Sequence, residues 1–143
     1  MKKLFYSFVM LSSAMLFAQK NTATRFAVAN GIVGTVDMFN NKKDMIQSMN
    51  VYKTTANLPQ SLKQYSYIAD NGISEFKIKS GYENLDRISL ASLNEQHNIP
   101  KDHPVIIDGY TFSDTATQVY GDILARTEVK DYEGKKTLFI STK

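Results

Sequence analysis

A chain of 143 residues, 43% of them apolar, is long enough for one domain with a real core. It has no cysteine, which excludes a lipoprotein anchor, a disulfide scaffold, thiol catalysis and thiolate-held metal. Its 17 basic and 14 acidic residues give a formal charge of +3, but Lys2 and Lys3 stand in a leader, and without them the balance is 15 to 14. The basic pI therefore gives no argument for nucleic acid or an acidic membrane surface, and no nucleic-acid partner is expected.

Lys2 and Lys3 precede an apolar run from Leu4 to Phe17, and Ala18 is followed by polar Gln19 and Lys20. This is the order of a secretory signal peptide over residues 1–18, cleaved between Ala18 and Gln19. Cleavage after Ala14 fits the small-residue spacing better but leaves Met15, Leu16 and Phe17 at the new terminus. The run is shorter than the roughly 20 apolar residues of a spanning helix, so no transmembrane segment is expected after signal removal. The expected location is periplasmic or secreted, with residues 19–143 as a single domain.

Gln19 to Arg25 is polar and reads as a loose lead-in. Phe26 to Ala29 is the first strand candidate, ended by Asn30-Gly31, a pair suited to a left-handed turn. Ile32 to Val36 continues extended, and Asp37 to Lys43 is polar, with Asn40-Asn41 as a break. In Ile46 to Lys53, Met49 and Val51 alternate with polar residues as in a half-buried strand. Asn57 is placed to cap, and Pro59 to open, a helix with the stripe Leu62, Tyr65 and Ile68 or Ala69, stopped by Asp70-Asn71-Gly72. Ile73 to Lys79 alternates as a half-exposed strand, with Ile73, Phe76 and Ile78 assigned to one side.

Ser80-Gly81 divides the domain into halves, about 26–79 and 86–143. Asp86 is placed to cap a helix with Ile88, Leu90, Ala91 and Leu93 inward, closing near His97 and Asn98. Val105, Ile106 and Ile107 are β-branched, which suits a strand buried on both faces, and the turn Asp108-Gly109 stops it. Thr111 to Tyr120 reads as a short helix capped by Ser113 or Asp114, and Ile123 to Lys130 as a strand. Tyr132-Glu133-Gly134 is a hairpin turn before a closing strand, Thr137 to Lys143. The expectation is an α+β fold: a mixed sheet from two β-rich halves with about two helices packed on it.

The halves answer one another. Val28-Ala29-Asn30-Gly31 matches Ile106-Ile107-Asp108-Gly109, Ile46 and Val51 match Leu124 and Val129, and Gly72 to Lys79 matches Lys136 to Lys143. At these residues the chain resembles the plug domain of TonB-dependent outer-membrane receptors. The matching pieces are Val105 to Gly109, Thr127-Glu128-Val129-Lys130 and Leu138 to Lys143. The family's Tyr-Gly step is absent between the last two, and no barrel is expected after Lys143. The resemblance thus implies a plug-like fold; transport and gating do not carry over.

Few residues suggest chemistry. His97 and His103 are the only histidines, separated by Pro100 at no ligand spacing, and Asp102 and Asp108 are the nearest acids. No Gly-x-Ser-x-Gly elbow and no phosphate loop is present. Seven tyrosines remain after the leader, most simply as residues edging a thin core with their hydroxyls in water, otherwise as a stacking platform. The expected function is a non-enzymatic envelope module that binds a protein or glycan and needs no cofactor or metal. The alternative is a small secreted hydrolase or metal-dependent enzyme using His97, His103 and a nearby Asp.

Overall fold

The computed structural model describes residues 20–82 and 84–143; the segment expected to be a signal peptide, and with it Ala18 and Gln19, lies outside the described residues. The chain opens with a hairpin of β1 (Phe26–Ala29) and β2 (Ile32–Thr35), joined through Asn30 and Gly31. These two residues are left-handed, with φ of 54° and 74°, which Gly adopts freely and Asn tolerates. Residues 37–43, expected to be polar and irregular, instead contribute to α1 (Val36–Asn40), where the Thr35 hydroxyl accepts the Met38 amide and Val36, Met38 and Phe39 are buried.

Next come β3 (Ile46–Tyr52) and β4 (Ile73–Ile78), separated by a 3₁₀ helix over Gln60–Ile68 rather than an α-helix. Its buried residues are Leu62, Tyr65 and Ile68, a spacing of three that suits a helix of three residues per turn. Ile73 lies on the opposite face of β4 from Phe76 and Ile78, as a separation of three in a strand requires. The helix expected from Asp86 begins later: β5 (Arg87–Ser89) precedes α2 (Leu90–Gln96), and the Ser89 hydroxyl accepts the Ser92 amide as its cap.

Then follow β6 (Val105–Ile107) and β7 (Tyr110–Phe112), joined by left-handed Asp108 and Gly109 with φ of 49° and 83°. Thr111 to Tyr120 is no helix; it holds the end of β7, a turn and β8 (Gln118–Tyr120). The chain closes with β9 (Arg126–Tyr132) and β10 (Lys135–Ser141), turning at Glu133 and Gly134, which are also left-handed.

The fold is α+β, with two sheets where one was expected. Their strand orders are β3-β4-β1-β2-β8-β5 and β7-β6-β10-β9. Within them, β3-β4-β1-β2 and β9-β10-β6-β7 have the same order and the same directions. The registers correspond too: Val28 lies beside Glu75 as Ile106 lies beside Phe139, and Val51 faces Ser74 as Val129 faces Leu138. β8 leaves the second half to run parallel to β2, bringing β5 with it. Apolar side chains of both sheets, including Phe26, Ile107, Phe112 and Leu138, meet Phe39 of α1 and Leu90 of α2 in one core. Among the described residues no helix is long and apolar enough to cross a membrane.

The tyrosines do not simply edge this core. Tyr110 and Tyr120 are fully buried, and the Tyr120 hydroxyl donates to the Ala29 carbonyl at 2.9 Å. Tyr65 donates to the Gly31 carbonyl at 3.3 Å, so two phenols hold the β1–β2 turn. Tyr67 packs edge-on against Phe112, with ring centroids 5.3 Å apart. Burial pushes its phenol up to about 12, against an opposing hydrogen bond from Thr117.

Two expectations follow from these features. Gly109→Val forces a branched residue to positive φ and should cost about 1–3 kcal/mol in thermal or denaturant unfolding. Gly31→Val should cost a similar amount from strain alone, because a Cβ there meets nothing within 4 Å. For Tyr67 the unfolded phenol ionises near pH ~10 and the folded one later. Its contribution to stability is therefore complete below pH ~10 and lost as pH rises toward 12. Burial also raises Tyr65, Tyr110 and Tyr120, so an absorbance titration should show several late phenols, and Tyr67→Phe should remove one of them together with its share of the alkaline loss.

Candidate functional site

Two places in the fold concentrate polar or exposed groups beyond what packing requires. The first is the β6–β7 turn. The Asp108 amide donates to the Ile140 carbonyl at 2.9 Å, and its own carbonyl accepts the Asn21 amide at 2.8 Å. One carboxylate oxygen accepts the Thr142 amide at 3.0 Å; the other accepts the hydroxyls of Thr24, at 2.7 Å, and Thr142. The two ends of the resemblance, Asp108-Gly109 and Thr142-Lys143, thus meet in space.

The lead-in is correspondingly ordered. Lys20 forms an ion pair with Asp70 at 2.9 Å, the Thr22 carbonyl accepts from the Asn71 side chain at 2.7 Å, and Thr24 is buried. Lys20 Nζ also lies 5.1 Å from the centre of the Tyr110 ring. The order of the lead-in has no signature in the sequence, because polar residues before a strand carry no periodic signal.

The candidate enzymatic residues are dispersed. His103 Nε2 lies 2.9 Å from the Thr137 hydroxyl, and the His103 carbonyl accepts from the buried Asn94 side chain at 2.7 Å. His97 ends α2, its amide donating to carbonyls in the last turn. Asp102 is exposed, while the Asp108 carboxylate is engaged by Thr24 and Thr142. Among the described residues no three His, Asp or Glu side chains gather where they could hold a metal.

The second place is the outer edge of β3, which the alternation had suggested was half-buried. Met49 and Val51 are 50% and 53% exposed, and β3 has no strand on its outer side among the described residues. All seven of its residues are uncharged, IQSMNVY. Its counterpart β9, likewise an edge, has Arg126, Glu128, Lys130 and Asp131. Beside β3 lies a groove of about 470 Å³ lined by Arg25, Val36, Asn40, Met49, Val51 and Lys53, among others. Sequence reasoning missed this edge because an exposed strand over a groove alternates as a half-buried one does.

The polar knot sets a measurable expectation. Asp108→Ala leaves the buried Thr24 hydroxyl and the Thr142 amide without their acceptor, and should cost about 2–4 kcal/mol in unfolding experiments. Asp108→Asn keeps one acceptor and tolerates positive φ, so it should cost less, and Asp102→Ala should stay within about 0.5 kcal/mol. Comparison of the chain with protein-family models, with curated proteins and with solved structures finds no match in any of the three.

Proposed function

We propose that this chain is an exported, non-enzymatic binding module of the cell envelope, plug-like in fold, that captures a protein partner by strand addition at β3. The observation behind this reading is the uncharged seven-residue edge with Met49 and Val51 half exposed. An edge strand presents free backbone donors and acceptors, which an extended segment of another chain can satisfy. Natural edges are usually blunted by charge, as β9 is. Export is supported by the order Lys2-Lys3, apolar run and Ala18. The resemblance to receptor plugs supports a domain that works by contact. A protein is favoured over a glycan because an open strand edge is matched by the backbone of an extended peptide, which a sugar does not have.

The test is site-specific photo-crosslinking in the native envelope. A photoreactive residue at Asn50, on the exposed edge, should give one adduct of defined mass, and the same residue at exposed Tyr82 should give none. Met49→Lys places a charge on the edge and should reduce the Asn50 adduct about tenfold. No adduct at Asn50, or equal adducts at both positions, would overturn the reading.

A further inference from the structure

Resting on strand addition at β3, we infer that the partner's segment is acidic as well as apolar, with Asp or Glu placed two residues from apolar side chains along an extended stretch. The basis is the chemistry on either side of the edge. Met49, Val51 and Lys53 point the same way, since side chains repeat with period two along a strand. They border the groove that Ser74 also lines, and in the second half the same register position holds Leu138. The smaller residue leaves a hollow where its counterpart fills the core.

The groove is apolar along Val36, Met49 and Val51 and cationic at Arg25 and Lys53. Neither cation has an ion pair among the described residues, whereas Asp70, which also lines the groove, is taken by Lys20 at 2.9 Å. On the other face β4 adds Lys77, Lys79 follows its end, and Lys43 stands before β3, again without ion pairs among the described residues. Asp44 and Glu75 stand next to these cations in the chain without ion pairs among the described residues, while the acids that share a groove with Arg25, namely Asp70, Asp37 and Asp122, are taken by Lys20, Lys143 and Lys42. The edge is therefore cationic in a chain that is otherwise nearly balanced. A basic strand would be repelled there and a purely apolar one would leave the cations uncompensated. An alternating acidic and apolar strand meets both demands. It lays apolar side chains beside Met49 and Val51 and sets carboxylates toward Arg25 and Lys53.

The experiment uses the full chain with the photoreactive residue at Asn50 and combines it with charge reversal. Arg25 and Lys53 are exposed, so Arg25→Glu with Lys53→Glu should leave the melting temperature in place while cutting adduct yield about tenfold or more. Should that pair disturb the fold, Lys53→Glu alone should still reduce yield about threefold. Peptide mapping of the wild-type adduct should place the crosslink beside an acidic and apolar run. An adduct undiminished by charge reversal, or mapped to a basic or uncharged segment, overturns the inference and leaves strand addition standing. An adduct of twice the chain's own mass overturns it in favour of a second copy. Absence of any adduct at Asn50 removes the inference together with the reading beneath it.

Discussion

The arrangement of this domain depends on the residue between β6 and β7. Asp108 ties the β6–β7 turn to the segment before β1 and to the end of β10 through its amide, its carbonyl and both carboxylate oxygens. Hydrogen bonds to an ionised acceptor are stronger than neutral ones, and those at Asp108 also satisfy a buried hydroxyl on Thr24. The left-handed conformation of a non-glycine residue costs energy by itself. It persists because the surrounding contacts need the carboxylate where that conformation puts it. Packing of β6 against β10 alone would leave residues 20–25 without a reason to lie across the molecule.

The first half solves the same problem differently. In register, Asn30 stands where Asp108 stands and Ile78 where Thr142 stands, so no equivalent polar knot can form. The Asn30-Gly31 turn is instead gripped by phenols, Tyr65 on Gly31 and Tyr120 on Ala29. Tyr120 belongs to the second half, and Thr24, which closes the knot on Asp108, precedes the first. The second half thus clamps the first half's turn, and the segment leading into the first half clamps the second's. With β8 running beside β2, this exchange explains why two similar halves share one core instead of forming two small domains.

What could be read from the sequence was what local chemistry dictates. The β-branched run Val105 to Ile107 is buried throughout, and Asn30-Gly31, Asp108-Gly109 and Glu133-Gly134 all turn with positive φ. The correspondence of the halves was legible residue by residue because register follows from the turns that start each hairpin. What was not legible depended on partners far away in the chain. Residues 111–120 carry helix-cap candidates in Ser113 and Asp114, yet tertiary pairing with β6 and β2 makes their ends strands. Leu62, Tyr65 and Ile68 fit a spacing of three and nearly fit 3.6, and only the observed 3₁₀ geometry separates the two. The openness of β3 depends on which strand stands last in a sheet, a property no window of residues contains.

That openness is also what folding does not account for. Ile46 and Tyr52, at the ends of β3, pack against the core, and Phe76 beside Met49 stacks on Phe39 with centroids 4.4 Å apart. Met49 and Val51 themselves bury too little area to stabilise the domain much. Polar residues there would keep the β3–β4 ladder and lower the risk of edge-to-edge association. The second half shows that the architecture accepts such residues, since β9 carries four charges at the corresponding edge. A shift of register between Ile46 and Ser48 disrupts the start of β3, and Lys53 stands just past its end. The free stretch lies between them, uncharged and half apolar, beside a groove whose cations have no ion pair among the described residues. Once burial, turn geometry and the polar knot have explained their residues, this stretch is what remains, and contact with another chain is the physical role its composition suits.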